Sequence, residues 1–185
     1  MPIPSNPQDL TTKDVFTTHP PIYTDSFLLL IKAVMLFGKV TDFNVRGNLR
    51  APTAPSRNQN PFYLSGFESL DHLVCDEFLD KLPHFYKTFD PSEGSPFDTD
   101  LYMVHIIPHA YVFSGRSDTT TAKRHYHRAA ITLHNPYIDF SDPQCRSTLR
   151  CMESARAILT AYYKLSSTSF DITRLHPFAT VSTSI

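Results

Sequence analysis

Two histidines, His105 and His109, lie four residues apart in the segment His-Ile-Ile-Pro-His. On a regular helix this spacing places both imidazoles on one face, where they could bind a metal ion. Pro108 interrupts that regularity, and neither a carboxylate between the histidines nor a third ligand nearby completes a zinc-protease pattern. We therefore predict packed or hydrogen-bonded histidines, and keep a metal-dependent enzyme that uses His105 and His109 as a remote alternative.

Cysteine is the second residue type that could do chemistry, and the chain has Cys75, Cys145 and Cys151. An odd number without CxxC spacing fits neither a disulfide framework nor a zinc site, and favours a reducing compartment. The spacing of Cys145 and Cys151 is unsuited to a shared zinc ion. We expect both to behave as small hydrophobic side chains.

Four carboxylates, Asp71, Asp76, Glu77 and Asp80, recur along one predicted helix. We predict that they form its solvated face, with acid-base chemistry as the alternative. No G-x-S-x-G elbow occurs, and the five glycines form no phosphate-binding loop. The sequence thus predicts no catalytic residue, cofactor-binding residue or metal ligand, and we expect neither an enzyme nor a cofactor nor a small-molecule substrate.

One basic cluster, Thr-Ala-Lys-Arg-His-Tyr-His-Arg at residues 121–128, could contact phosphates or act as a nuclear import signal, although a solvated loop is the interpretation we favour. The net charge of -1 gives no reason to expect direct nucleic-acid binding. The most apolar run, Phe27 to Phe37, is interrupted by Lys32 and is shorter than the roughly 20 residues of a membrane span. We therefore expect no membrane association.

The elements that position these residues are predicted to be helices, and the fold class all-α, a helical bundle or array with long loops. Thr24 or Asp25 can cap a first helix that runs to about Asn44. Its polar positions form a narrow stripe, and apolar residues occupy most of the remaining surface, so we expect it to be covered on most sides. The stripe consists of Lys32, Lys39, Asp42 and Arg46.

Three further helices follow from capping and periodicity. Ser65 and Glu68 form a capping box before a helix that Pro83 closes, and Asp98 or Thr99 can cap residues 100–107. The last helix, residues 146–165, has the cleanest amphipathic pattern. Its predicted inner face consists of Leu149, Met152, Ala155, Ile158, Leu159 and Tyr162.

With 185 residues and 41% hydrophobic content, the chain is long enough for one domain. We predict a proline-punctuated, extended lead-in over residues 1–23 and a helical domain over residues 24–178. Within that domain residues 47–64 are predicted to be a Pro-rich linker or surface loop.

Several segments, taken together, resemble the middle regulatory region of fungal zinc-cluster regulators, the fungal-specific transcription factor domain. They are His19-Pro20-Pro21 leading into Phe27 to Ala33, Leu70-Asp71-His72-Leu73, Leu101-Tyr102 with His105 and Pro108-His109, Leu133-His134-Asn135-Pro136, Ser154 to Leu159, and Thr168 to Thr173. Their order and spacing cover nearly the whole chain. The resemblance implies a nuclear protein whose helical domain regulates a transcription factor, through packing within that factor or contacts with protein partners.

The same family reads DNA with six cysteines in a short basic segment, which this chain does not contain. The resemblance therefore implies a regulatory segment without the DNA-reading part. A standalone helical interaction module that binds other factors is the alternative, and an upstream in-frame six-cysteine segment would distinguish the two.

Two segments depart from the family pattern. Residues 111–128 are polar, glycine-containing and basic, and their deletion restores the family length between Pro108 and Leu133. Residues 179–185 stand where the family continues with aromatic-rich sequence. We interpret both as translated intron. A truncated helical domain of this kind would leave apolar faces of its first and last helices uncovered, so we expect marginal solubility or dependence on a partner.

Overall fold

The computed structural model describes residues 14–50, 60–88, 97–108 and 129–171, with side chains in the first range described to residue 46. The described residues are mostly helical and contain no strand, which confirms the all-α prediction. The helices are α1 Asp14–Thr17, α2 Ser26–Arg50, α3 Phe67–His72, α4 Phe78–Asp80, α5 Thr99–Ile106, α6 Ala129–His134 and α7 Arg146–Ser166. A π-helical turn, Leu73–Glu77, joins α3 to α4. Among these helices none has the length and apolarity needed to cross a membrane.

Two long helices, α2 and α7, frame the fold, and the short helices α5 and α6 pack against both. The core lies along these contacts. Its fully buried side chains include Leu29, Leu36 and Val40 of α2, Val104 of α5, Leu133 of α6 and Leu165 of α7. Asn44 adds a polar tie, since its side-chain amide donates to the Thr132 carbonyl at 2.8 Å. The domain is therefore built by layering helices on a shared apolar core.

The lead-in contains a short helix, so the prediction of an extended segment up to residue 23 is wrong for its described part. α1 inserts Phe16 into the core, and Lys32 of α2 donates from Nζ to the Thr18 carbonyl at 2.7 Å. Lys32, which the sequence placed on the narrow polar stripe of this helix, is only 8% exposed. The carbonyl that follows α1 gives the ammonium a partner, and the burial of Phe16 draws this segment onto α2.

α2 begins as predicted but ends later. The Asp25 carboxylate accepts from the Leu28 amide at 2.7 Å, which confirms Asp25 as a cap. The helix continues to Arg50 instead of ending near Asn44, so the predicted linker at 47–64 starts inside it. An Asp42–Arg46 ion pair at 2.9 Å, one helical turn apart, stabilises this final part. The predicted linker also contains a 3-10 turn, Pro61–Tyr63.

The outer surface of α2 is not covered on most sides, contrary to the prediction. Phe27, Ile31, Val34 and Met35 are 59%, 40%, 45% and 50% exposed. Only one face of α2 meets α5 and α6, so the positions that point elsewhere remain in contact with solvent. We call these four side chains the α2 apolar face.

α3 starts without the predicted capping box. Gly66 is the cap residue, with a left-handed φ of 85°, and no side chain accepts a hydrogen bond there. The Phe67 amide instead donates to the Leu64 carbonyl at 3.0 Å. The left-handed conformation turns the chain sharply into the helix, and this is a conformation that glycine adopts easily. Ser65 therefore lies one position too early to cap.

α5 and α6 are joined by backbone hydrogen bonds although twenty residues, 109–128, separate Pro108 from Ala129 in the sequence. The Ala129 amide donates to the Ile107 carbonyl at 3.0 Å, and the Ala130 amide donates to the Pro108 carbonyl at 2.9 Å. If residues 111–128 were absent, both would be bonds between residues four apart, as in one α-helix. At the start of α5, Asp98 accepts from the Leu101 amide at 2.9 Å, which confirms the predicted cap.

α7 has the predicted bounds to within one residue, but it turns a different face inward. Its buried side chains are Ser147, Thr148, Cys151, Ser154 and Leu165. From the predicted inner face, Leu149, Met152 and Leu159 are 44%, 45% and 51% exposed, Ala155 is exposed, and Ile158 and Tyr162 are half-buried. We call Leu149, Met152, Leu159 and the exposed Tyr163 the α7 apolar face.

Candidate functional site

The only fully buried histidine among the described residues, His134 at the end of α6, joins two other helices by hydrogen bonds. Its Nε2–H donates to the Asp71 carboxylate of α3 at 2.8 Å. Its Nδ1 accepts from the Ser147 hydroxyl of α7 at 3.1 Å. Asp71 and His134 are 0% exposed and Ser147 is 2% exposed. A histidine has one donor and one acceptor in its neutral form, so both ring nitrogens are satisfied.

Two arginines of α7 complete this arrangement, which we call the Asp71 cluster: Asp71, His134, Arg146, Ser147 and Arg150. Arg146 lies 3.2 Å from Asp71 Oδ2, and Arg150 Nε lies 3.4 Å from Asp71 Oδ1. Arg150 also reaches Asp76 at 2.8 Å. The two arginines are four residues apart, so they lie on the same side of α7 and meet α3 together.

The surroundings of Asp71 keep its carboxyl ionised. Burial by itself would raise the pKa of Asp71, but the hydrogen bond from His134 and the nearby charge of Arg150 lower it below its ordinary value. Asp76 has a lowered pKa for a related reason, since hydrogen bonds from Arg150 and His72 outweigh its partial burial. The negative charge of Asp71 is thus buried but compensated.

An aromatic wall encloses one side of the Asp71 cluster. Phe67 meets the His134 ring edge-on at 5.2 Å and Tyr137 at 5.6 Å between centroids. Phe62, from the 3-10 turn before α3, lies 5.1 Å from Phe67 and stacks 4.2 Å beneath the Arg146 guanidinium. Edge-to-face pairs and a cation over a ring are favourable geometries. The wall keeps water from the imidazole and fixes the direction of Arg146.

The prediction that the four acidic residues form a solvated face is wrong for Asp71, which is fully buried. The carboxylates of Asp76 and Glu77 are 39% and 16% exposed and only that of Asp80, at 70%, is largely in solvent. Helical spacing alone could not separate these positions. Asp71 differs from the other three because hydrogen-bond donors from both α6 and α7 compensate its charge.

Asp71, His134 and Ser147 are hydrogen-bonded in the order carboxylate, imidazole, hydroxyl, as in the catalytic triad of a serine hydrolase. In such enzymes the serine hydroxyl must reach the carbonyl carbon of a substrate. Ser147 borders a half-open groove of about 420 Å³ together with Phe62, Tyr137 and Arg146, yet only 2% of Ser147 is exposed. Two guanidinium groups also compensate the Asp71 charge that would otherwise stabilise an imidazolium. The geometry therefore fits a buried connection between three helices better than an attacking nucleophile.

The histidines chosen from the sequence are not joined to this cluster. His105 Nε2–H donates to the Tyr86 carbonyl at 2.9 Å, and burial lowers the pKa of His105. This agrees with the prediction of a hydrogen-bonded histidine. His109, and with it the proposed histidine pair, lies outside the described residues, as does the basic cluster at 121–128.

The three cysteines are free. Cys151 is buried in α7, and burial raises its pKa to about 12, as expected of a small hydrophobic residue. Cys145 departs from that prediction because it is the cap residue of α7 and only half-buried. Burial alone would raise the pKa of Cys145, but hydrogen bonds at the helix start, including those of Thr148, lower it. Its thiol donates to the Tyr137 carbonyl.

Sequence reasoning overlooked His134, Arg146 and Arg150 as parts of one site. The available signal was weak: a histidine that ends an apolar helix immediately before Asn-Pro, and two arginines one helical turn apart at the start of α7. Their partner Asp71 lies more than sixty positions earlier in the chain. Only the packing of α3 against α6 and α7 brings these side chains together.

Comparisons with protein-family models, with curated proteins and with solved structures give no match.

Proposed function

We propose that the chain is the regulatory, non-DNA-reading segment of a fungal zinc-cluster transcription factor. In this role it acts in the nucleus and modulates transcription through helix packing and contacts with protein partners. The observation that carries the proposal is the orientation of α7: Leu149, Met152 and Leu159 face outward, while the core side of the helix consists mainly of small and polar side chains together with Leu165. A helix with this orientation has a face suited to another apolar surface.

The α2 apolar face gives the same kind of support at the other long helix. Its four large side chains recur at helical spacing and are at least 40% exposed. Both faces are neutral along their apolar positions, and the charged residues beside them are of mixed sign. The partner we propose is therefore another helical segment with an apolar face, belonging either to the same transcription factor or to a protein bound to it.

The Asp71 cluster has a supporting role in this proposal. Asp71 belongs to the Leu70-Asp71-His72-Leu73 motif and His134 to Leu133-His134-Asn135-Pro136, two of the segments on which the family resemblance rests. Their pairing across α3 and α6 gives these motif residues a structural task, the fixing of helix positions. A regulatory module acts by contact, so the rigid placement of its outer helices is what this function needs.

A tethering experiment tests the proposed function. The chain is fused to an unrelated DNA-binding domain in a yeast reporter strain, and transcription is compared with that given by the DNA-binding domain alone. We expect the fusion to raise or lower reporter output at equal protein level. Equal output from both would contradict a regulatory role and favour the standalone interaction module, while ester or peptide hydrolysis lost in Ser147→Ala would favour an enzyme.

A further inference from the structure

Three different metal-ligand types converge at the buried end of the Asp71 cluster. The carboxylate of Asp71, the thiol of Cys75 and an imidazole nitrogen of His134 lie within 4.8 Å of one another. Asp71 and Cys75 are four residues apart where α3 enters its π-helical turn, and His134 comes from α6. π-helical turns of this kind occur frequently at functional sites.

We propose that Asp71, Cys75 and His134 bind a divalent cation of the zinc type. A thiolate, an imidazole and a carboxylate are the three side-chain ligands that Zn²⁺ takes in proteins, and softer or harder ions match this mixed set less well. With the cation bound and the Cys75 proton released to solvent, the charges of Asp71, Cys75 and the ion sum to zero. The remaining coordination position would hold a water molecule.

His134 is placed to serve as a ligand without the loss of its second hydrogen bond. When the cation takes Nε2, the ring proton moves to Nδ1, which then donates to the Ser147 oxygen 3.1 Å away. A ligating histidine whose other nitrogen donates to a neighbouring oxygen is the usual arrangement at metal centres. The Ser147 hydroxyl is able to reverse its role because it both donates and accepts.

The two arginines leave room for this ion. Arg150 lies 3.4 Å from Asp71 Oδ1 and makes a shorter contact, 2.8 Å, with Asp76. The distance from Arg150 to the carboxylate of Glu153 is 3.9 Å. Arg146 faces the other Asp71 oxygen and stacks on Phe62. A cation between Asp71 Oδ1, His134 and Cys75 would replace the His134–Asp71 hydrogen bond and, among the guanidinium contacts, would displace only that of Arg150 with Asp71 Oδ1. Cys75 is half-buried, whereas Asp71 and His134 are fully buried.

The consequence is a bond between α3 and α6 that depends on metal. A cation that binds the folded chain and not the unfolded one stabilises the fold in proportion to the logarithm of its concentration. The inference goes beyond the proposed function, because a regulatory module could work with or without this ion. Its failure would leave the apolar faces of α2 and α7 untouched.

Cobalt titration tests the site. The metal-free, reduced full chain is titrated with Co²⁺, and the near-ultraviolet band of a thiolate–cobalt bond is followed. We expect one equivalent to bind, Cys75→Ser to abolish the band, and the matched variant Cys151→Ser to retain it. Zn²⁺ should then displace Co²⁺ and raise Tm by several degrees.

A second variant guards against a Cys75→Ser protein that does not fold. Cys145→Ser combined with Cys151→Ser leaves Cys75 as the sole thiol of the chain, and we expect this protein to give the full cobalt band. Absence of the band from the wild-type chain would overturn the proposal. Its absence from the double variant, or its persistence in Cys75→Ser, would place the thiolate ligand elsewhere and overturn it equally.

Discussion

At the residue scale, Asp71 connects the helices most directly, because its carboxylate meets His134 from α6 and two arginines from α7. Asp71→Asn keeps the size of the side chain but removes the charge and one of its acceptor oxygens. We expect the free energy of unfolding to fall by about 2 to 3 kcal/mol, since groups around a buried charge lose their partner. Urea denaturation followed by circular dichroism measures this loss.

Asp80→Asn is the matched control, because Asp80 lies on the same helical stretch with 70% of its side chain in solvent. Its free energy of unfolding should change by less than about 0.5 kcal/mol. If the free energy of unfolding fell equally in the two variants, the Asp71 cluster would contribute no more to stability than an exposed carboxylate, and its proposed role in the fold would be wrong.

His19 predicts a dependence of stability on pH. Burial and, to a smaller degree, the charge of Lys32 lower the pKa of His19 from 6.5 to about 4. The Nζ atom of Lys32 lies 3.3 Å from Nδ1 of His19. Between these values the unfolded chain binds more protons than the folded one, so stability rises with pH and falls as the pH drops from 6.5 towards 4. Thermal unfolding at a series of pH values should show this slope, and His19→Gln should reduce it.

His84→Gln provides the comparison for His19, because His84 is exposed. We expect its stability profile to follow that of the wild type across the same pH range. His105, whose pKa burial also lowers, adds to the slope below its ordinary pKa, so some slope should remain in His19→Gln. A His19→Gln profile identical to that of the wild type would rule out the Lys32–His19 contact as a source of the pH dependence.

At the element scale, α5 and α6 behave as two parts of one helix. Deletion of residues 111–128 would make the bonds from Ala129 to Ile107 and from Ala130 to Pro108 ordinary helical bonds. We expect the shortened protein to fold, with higher helicity per residue in far-ultraviolet circular dichroism. Because less chain entropy is lost when Pro108 and Ala129 are brought together in a shorter chain, the free energy of unfolding should rise by on the order of 2 kcal/mol.

An equally long deletion elsewhere is not a suitable control, so the comparison is with a Gly/Ser segment of the same length in place of residues 111–128. That variant should have the stability of the wild type if the segment contributes no packing of its own. A shortened chain that unfolds without cooperativity would show that residues 111–128 are required for the fold, contrary to their interpretation as translated intron.

The elements were largely predictable because their signals are local. The caps at Asp25 and Asp98 and the bounds of α7 follow from neighbouring residues, and all agree with the structure. The inner face of α7 was not predictable, because hydrophobicity favours Leu149 and Met152 whereas α6 packs against the side that carries Ser147, Thr148, Cys151 and Ser154. Small side chains allow close approach of a neighbouring helix, and hydrophobic periodicity does not measure that.

At the scale of the whole molecule, the α2 and α7 apolar faces are the features most relevant to function. Periodicity predicted a covered α2, whereas the interpretation as a truncated domain predicted uncovered apolar faces on the first and last helices, and large apolar side chains are exposed on both α2 and α7. Which face of α7 is exposed, and that His134 joins three helices, required knowledge of the packing. The candidate site could be predicted only as separate motifs, because its members lie on α3, α6 and α7.

The most direct test of the central claim changes the α7 apolar face alone. In the tethered reporter, Leu159→Glu puts a charge in the middle of that face, and Thr160→Glu puts the same charge on the neighbouring exposed position. We predict that Leu159→Glu abolishes the regulatory effect while Thr160→Glu retains it, with equal protein levels and circular dichroism. Full activity of Leu159→Glu would contradict the claim that this face makes the regulatory contact.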